Sequence, residues 1–252
     1  MELTYLGTRG TEFVLTSREE PRVQLNVGGL GLRVDARVQA VASELAGGQV
    51  PDTLTLPAMS GTLDLLMVGP GGGLAGLDRE WRRNWDLLRE GRLVLSGSRG
   101  RVSTQVRLDR VMEAIPEDYR DLDVYPLKMT VVADSGCWWS DLHHGQGFVT
   151  VSNSGDWPLT VRIVWKGDGG TVTLPSGMTF QLPYTPVERV LLLDDEESCA
   201  VTDHAGDTDY TLWPLDGVVA EPVPIGATRT YQVPSGARVE WSIPIFDPWA
   251  VI

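Results

Sequence analysis

Apolar and polar positions alternate along much of this chain. Between residues 101 and 109, the side chains Val102, Thr104, Val106 and Leu108 alternate with polar ones. A period of two places one set on each face of a strand, so we predict a strand with one solvent-exposed face. Residues 62–68 are also predicted to be a strand, and the glycine-rich segment 28–31 is predicted to be the turn of a hairpin.

One segment has helical periodicity instead. Between residues 74 and 90 the apolar side chains recur at steps of three and four and form a single stripe, made of Leu74, Leu77, Trp81, Trp85 and Leu88. The charged residues between them lie largely off this stripe, and Gly91 follows as a left-handed stop signal. We therefore predict a helix over residues 74–90 whose stripe covers a sheet.

The second half of the chain has only strand signals. The periodicity breaks at residues 133–147, and short β-prone runs then recur at 148–152, 159–166, 171–174, 178–182, 187–193, 198–202, 209–213 and 238–243. Such spacing is typical of a β-sandwich or jelly roll. The predicted fold is mainly β with two lobes: an N-terminal β-sandwich or sheet with one covering helix over residues 1–135, and a C-terminal β-sandwich over residues 136–252.

The charge of the chain restricts its partners. The formal net charge is −13, and the acidic residues are scattered through both halves. Because such a surface repels phosphates, we expect no stable binding of nucleic acid. The sequence has no apolar run of about 20 residues and no signal-peptide order at its start. We therefore expect that the chain is synthesised in a cytoplasm and does not associate with a membrane.

The strongest indication of an enzyme is a glycine pattern. Gly71, Gly73 and Gly76 fit G-x-G-x-x-G between a predicted strand and a predicted helix, the context in which a dinucleotide binds. However, alternating, half-exposed strands follow this unit in place of further parallel ones. A dinucleotide-binding enzyme is therefore kept only as a third hypothesis.

Metal ligands and reactive groups give weaker signals. Cys137, Asp141, His143 and His144 could supply zinc ligands, but their spacing matches no standard site, and adjacent histidines point to opposite sides of a strand. Cys137 and Cys199 are interpreted as buried thiols. We expect no catalytic residue, no metal and no cofactor, and hence a chain that is not an enzyme.

Nine tryptophans are many for this length. Trp81 and Trp85 belong to the helix stripe, whereas Trp138, Trp139, Trp157 and Trp249 lie in predicted loops, where they are candidates for a partner surface. Indole rings can also stack on sugar rings. A carbohydrate-binding module for a host surface is therefore the second functional hypothesis.

The segment 149–167, VTVSNSGDWPLTVRIVWKG, resembles a signature of the distal tail proteins of long-tailed, non-contractile bacteriophages. In that signature a strand ends in N-x-G-D/T-x-P and the next strand ends at glycine. Here Asn153, Gly155, Asp156, Pro158 and Gly167 occupy those places. The helix segment LDREWRRNWDLL and the acidic turn in RVLLLDDEESCAVTDHAG are similar to further parts of that family.

This resemblance implies a structural role and a place in the virion. Such minor tail proteins form a hexameric ring at the tail tip, where they join the tail tube protein, the tape measure protein and the central hub or fibre of the baseplate. The first lobe would make the ring, and the second, a galectin-like sandwich, would decorate its outside. The turn residues would shape the second lobe, and an acidic channel wall would let DNA pass without binding it.

Overall fold

The computed structural model describes residues 1–19, 21–42, 49–114, 122–194, 198–203, 205–213 and 215–252. These residues form twenty strands, one α-helix and short 3₁₀ turns such as Pro70–Gly72. In chain order the first elements are β1 (Glu2–Leu6), β2 (Glu12–Val14), β3 (Arg22–Leu30), β4 (Arg37–Ala42), β5 (Gln49–Thr55), β6 (Met59–Val68), α1 (Leu74–Arg83), β7 (Gly91–Ser96), β8 (Arg101–Leu108), β9 (Val124–Ala133) and β10 (Trp138–Ser140). They are followed by β11 (His143–Gly145), β12 (Phe148–Ser152), β13 (Arg162–Gly167), β14 (Gly170–Thr173), β15 (Thr179–Leu182), β16 (Thr185–Leu192), β17 (Val201–Thr202), β18 (Thr228–Gln232), β19 (Ala237–Trp241) and β20 (Pro244–Ile245).

The chain divides into two compact units. The first comprises Met1–Trp139 together with Phe246–Ile252, and the second comprises Ser140–Ile245. The predicted boundary after residue 135 lies four residues before this division, and residues 246–252, which the prediction places in the C-terminal lobe, group with the first unit. Those residues join the first unit because Ile252 packs so close to Gly97 that a Cβ there would lie 2.7 Å from the Ile252 carbonyl carbon, and the Ile252 carbonyl accepts a hydrogen bond from Arg99 Nε at 3.3 Å.

The first unit is built on one antiparallel sheet. Its strand order is β2-β1-β7-β8-β9-β6-β3, and β4 and β5 form a separate hairpin. On β6, the side chains of Leu63, Leu65 and Met67 are fully buried, as the period of two requires for the inner face. In β8, Val102, Thr104 and Val106 are buried as the alternation predicts, although Ser103 is buried as well.

The predicted hairpin at residues 28–31 is absent, and a bulged strand takes its place. Leu25 pairs with Leu65 and Leu30 pairs with Leu63, so the residues between them face Asp64 alone. Gly28 has a φ of +72°, and a Cβ on Gly29 would lie 2.4 Å from the carbonyl oxygen of Asp64. Both glycines thus serve a bulge within β3, because only glycine tolerates this conformation and this close approach.

The helix is shorter than its stripe predicts. It ends at Arg83, and Asn84 closes it with a φ of −93° and a ψ of 4°. The Oδ1 of Asp86 then accepts hydrogen bonds from the backbone N–H groups of Leu88 and Arg89, which forms a local turn that competes with helix. Gly91 is the first residue of β7 and not a helix stop. Among the described residues, no helix is long and apolar enough to cross a membrane.

The second unit is a sandwich of two antiparallel sheets. The strand orders are β11-β19-β13-β16-β17 and β12-β18-β14-β15. Side chains of both sheets share one core, which includes Val151, Ile163, Trp165, Phe180 and Tyr231. Across the two units, the predicted mainly β, two-lobed fold class is confirmed.

Candidate functional site

Asn153 ties together the turn that follows β12. It is 2% exposed, and its Nδ2 donates to the carbonyls of Trp157 at 2.8 Å and Val223 at 2.9 Å. Its Oδ1 accepts the N–H of Gly155 at 2.9 Å, the pattern of a local Asx turn. An amide satisfies both kinds of partner because it carries donors and an acceptor, so the side chain of Asn153 links the turn to a distant segment of the same unit.

Gly155 is required by close approach of the backbone. A Cβ at this position would lie 2.2 Å from the carbonyl oxygen of Pro244. The same carbonyl accepts the N–H of Asp156 at 2.9 Å. The turn can reach Pro244 only if residue 155 has no side chain.

Pro158 and Gly167 bound the next stretch of the motif. Pro158 is exposed and precedes Leu159, which exchanges backbone hydrogen bonds with Val223. Gly167 ends β13 with a φ of +92°, where the register against β16 shifts. The five motif residues therefore lie in the second unit along one turn and the strand that follows it, and the contacts that Asn153, Gly155 and Asp156 make are structural.

The helix stripe forms an aromatic cluster in the first unit. Leu74, Leu77, Trp81 and Trp85 are buried, and Leu88 is 90% exposed because the chain has left the helix before it. The ring of Trp85 stacks on Tyr5 with centroids 3.9 Å apart, and Trp81 lies edge-on to both Tyr5 and Phe13. Helical periodicity could not reveal Tyr5 or Phe13, since both come from strands more than sixty residues earlier.

Tyr5 also fixes the end of the helix. Its hydroxyl donates to the carbonyl of Asn84 at 2.6 Å. Burial raises the pKa of the Tyr5 phenol, so the donor proton is retained over the whole physiological range. Asn84 Nδ2 donates back to the carbonyl of Glu80 at 2.9 Å.

The glycine loop before α1 does not form a dinucleotide site. The N–H of Gly71 donates to the carboxylate of Asp123 at 3.0 Å, so this backbone donor already has an anionic partner within the protein. The strands on either side of α1, β6 and β7, pair only antiparallel among the described residues, whereas the fingerprint requires a parallel βαβ unit. The geometry of this loop therefore does not support the dinucleotide hypothesis.

The candidate metal ligands do not form a group. Cys137 is buried, whereas His143 and His144 are exposed on β11, where the ring of His143 stacks on Trp241. Within the described part of the chain, no three His, Cys, Asp or Glu side chains are arranged to hold a metal ion. Cys199 is half-buried.

The loop tryptophans have different surroundings. Trp138 is 1% exposed and belongs to a core, which removes it from any partner surface, whereas Trp249 is 48% exposed. Trp157 lines an open pocket of about 220 Å³ together with Pro158, Thr160 and Asp194. That pocket combines an aromatic ring with a hydroxyl and a carboxylate beside the Asn153 turn.

Comparison with protein-family profiles finds no match, and comparison with curated proteins finds none either. Among solved structures, the Dit protein of phage SPP1, described as a paradigm of the hub adsorption apparatus in phages that infect Gram-positive bacteria, matches with a TM-score of 0.58 and 11% identity over 96% of this chain and 99% of that chain. Two structures of the phage P2 baseplate in its activated conformation match at 10% identity with TM-scores of 0.53 and 0.54, covering 96% of this chain and 98% and 97% of theirs. The chain therefore shares, over nearly its whole length, the fold of these phage proteins.

Proposed function

We propose that this chain is a distal tail protein, a structural component of a phage tail tip. The observation that carries the proposal is the likeness to SPP1 Dit, which extends over 96% of this chain and 99% of that one and thus includes both units. The Asn153 turn supports it independently, because the residues that resemble the family signature make the contacts on which that turn depends.

In the proposed assembly six copies of the chain form a homohexameric ring in the virion. The first unit forms the ring, and the second lies on its outside as a galectin-like sandwich. The ring connects the tail tube protein and the tape measure protein to the central tail hub or fibre of the host-adhesion device. In this role the chain has no catalytic residue, cofactor or metal.

The net charge of −13 supports a place around a DNA channel. A wall of like charge repels the phosphate backbone, so DNA can pass without adhering. We accordingly expect no stable nucleic-acid binding by the assembled protein at physiological salt.

Mass measurement and negative-stain imaging of the purified chain test the proposal. A ring with a central opening and a mass of six subunits is the expected result. A chain that stays monomeric, both alone and when mixed with tail tube and hub proteins of the same phage, would contradict the ring.

The pocket beside the Asn153 turn favours a second candidate, a host-surface carbohydrate-binding module. Trp157 offers a stacking face, and Thr160 and Asp194 offer hydrogen-bonding groups for sugar hydroxyls. Glycan-array binding by the full chain that is lost in Trp157→Ala and kept in Trp249→Ala would support this function. Absence of binding to any glycan would exclude it.

A further inference from the structure

Three arginines surround an open pocket on the first unit. Arg79 and Arg83 are one turn apart on α1, and Arg9 comes from the turn between β1 and β2. The pocket has a volume of about 360 Å³, and Glu80 is the single carboxylate among the described residues that line it. Its formal charge is therefore +2, in a chain whose total is −13.

The arginines of this pocket have no carboxylate partner among the described residues. Several other arginines of the chain are paired: Arg82 binds Asp78 at 2.8 Å on the same helix, and Arg238 binds Glu188 at 2.7 Å. Like charges at positions i and i+4, as for Arg79 and Arg83, destabilise a helix. The pocket thus holds three cations together with Glu80 as the only carboxylate among its described lining residues, and its net formal charge stays positive.

Backbone contacts hold the two sides of the pocket in place. The carbonyl of Asn84 accepts the N–H of Thr8 at 3.0 Å as well as the Tyr5 hydroxyl. The Arg9 turn is closed by a hydrogen bond from the N–H of Gly10 to the carbonyl of Gly7 at 2.9 Å. Because the turn is tied to the helix end, Arg9 stays beside Arg79 and Arg83 and the site is preorganised.

The overall charge indicates what the pocket binds. Copies of a chain with a charge of −13 repel one another, so an assembly of copies needs local attraction between opposite charges. Guanidinium groups pair bidentately with carboxylates, which this chain carries in excess. Phosphates would meet the same arginines but would be repelled by the rest of the surface.

We propose that the Arg9–Arg79–Arg83 pocket is a docking site for a carboxylate-bearing surface of a second copy of this chain. The contact is heterologous: the pocket of one copy binds a different surface of the next, the kind of contact from which a closed ring is generated. The proposed docking site depends on the proposed function only in that it requires copies of the chain to associate.

The test compares two double variants with the same change of charge. R79E/R83E reverses the pocket, and R89E/R110E reverses two exposed arginines of the first unit that do not line it. We expect R79E/R83E to raise the dissociation constant for self-association at least about tenfold, and the control pair to change it by less than about threefold. Added salt should weaken wild-type association and the control alike.

A mixing experiment identifies the occupant. R79E/R83E keeps its acidic surface, so a mass-tagged sample of it should form mixed species with wild type by native mass spectrometry while failing to associate with itself. Circular dichroism of the variant must match wild type. Absence of mixed species, where wild type associates, would overturn the head-to-tail contact.

Three further outcomes of these experiments would overturn the proposed docking site. Rings formed equally well by R79E/R83E would overturn the docking site and leave the proposed tail role standing. A wild-type chain that stays monomeric would overturn it too, and the position of the chain in phage particles would then decide the tail role separately. Binding of a DNA oligonucleotide that is lost in R79E/R83E would assign the pocket to phosphate and refute the proposal.

Discussion

At the scale of single residues, the second unit depends on a few polar and backbone contacts that no apolar side chain could replace. The buried side chain of Asn153 makes three hydrogen bonds, and Gly155 leaves room for the carbonyl of Pro244 at the place that a Cβ would occupy. The residue types in the turn could be recognised from the sequence. Their partners Val223 and Pro244 could not be recognised from the sequence, because about seventy and ninety residues separate them from the turn.

Replacement of Asn153 by alanine removes the side-chain partners of the Trp157 carbonyl and the Gly155 N–H, and one of the two donors to the Val223 carbonyl, which keeps the N–H of Leu159. We expect Asn153→Ala to lower the free energy of unfolding by about 2–4 kcal/mol. The matched control is Ser154→Ala, an exposed neighbour, which should change it by less than about 0.5 kcal/mol. Urea denaturation of the full chain measures both, and equal effects would refute the role given to Asn153.

Two glycines should respond to alanine in opposite directions. Gly155→Ala places a Cβ against the carbonyl of Pro244 and should be strongly destabilising. Gly76→Ala, in the helix, meets no atom within 4 Å and should stabilise by about 0.5–1 kcal/mol through helix propensity. Thermal unfolding distinguishes them; a neutral Gly155→Ala would contradict the close approach.

At the scale of elements, local competition decides where periodic patterns stop. The apolar period of α1 continues in the sequence to Leu88, but the helix ends where Trp85 stacks on Tyr5 and Asp86 forms its own turn. Local interactions also explain why some predicted strands differ from the observed ones. Residues 209–213, predicted as a strand, form a turn because the carboxylate of Asp209 accepts the N–H and hydroxyl of Thr211. Strand β18 gave little signal because its outward residues are all polar.

The length of the helix can be tested with aspartate. Trp81→Asp buries a charge among Tyr5, Phe13 and Trp85 and should abolish soluble folding, a cost above about 4 kcal/mol. Leu88→Asp lies at a 90% exposed position and should fold normally. If both variants precipitated on expression, the predicted longer helix would be favoured over the observed one.

An ion pair connects β8 to the end of β9. Arg107 donates to both carboxylate oxygens of Asp134, at 2.6 and 2.9 Å, and these hydrogen bonds hold the pKa of Asp134 below its usual value of 3.8. A depressed folded-state pKa stabilises the fold above pH 3.8, and that stabilisation disappears as the pH falls through the folded-state pKa.

Asp134→Asn should therefore reduce stability at pH 7 by at most about 1 kcal/mol, because the pair is half exposed, and should flatten the loss of stability between pH 5 and 2. Asp216→Asn, at an exposed position in the second unit, is the control and should keep the wild-type slope. Chemical denaturation across this pH range measures the effect. An unchanged slope for Asp134→Asn would contradict the assignment.

At the scale of the whole molecule, the net negative charge and the basic pocket are complementary features of a chain proposed to associate with its own copies. The sequence shows the total charge of −13, but it could not show that Arg9 meets Arg79 and Arg83, because seventy residues separate them. Mainly β character and two lobes could be predicted from periodicity. The return of residues 246–252 to the first unit could not, since it depends on the packing of Ile252 against Gly97.

The measurement that tests the tail role most directly is the position of the chain in the phage particle. Antibodies raised against the purified chain and coupled to gold should label the end of the tail remote from the capsid, in particles viewed by electron microscopy. Labelling of the capsid, or particles that lack the chain altogether, would contradict the proposal that it is a structural protein of the tail tip.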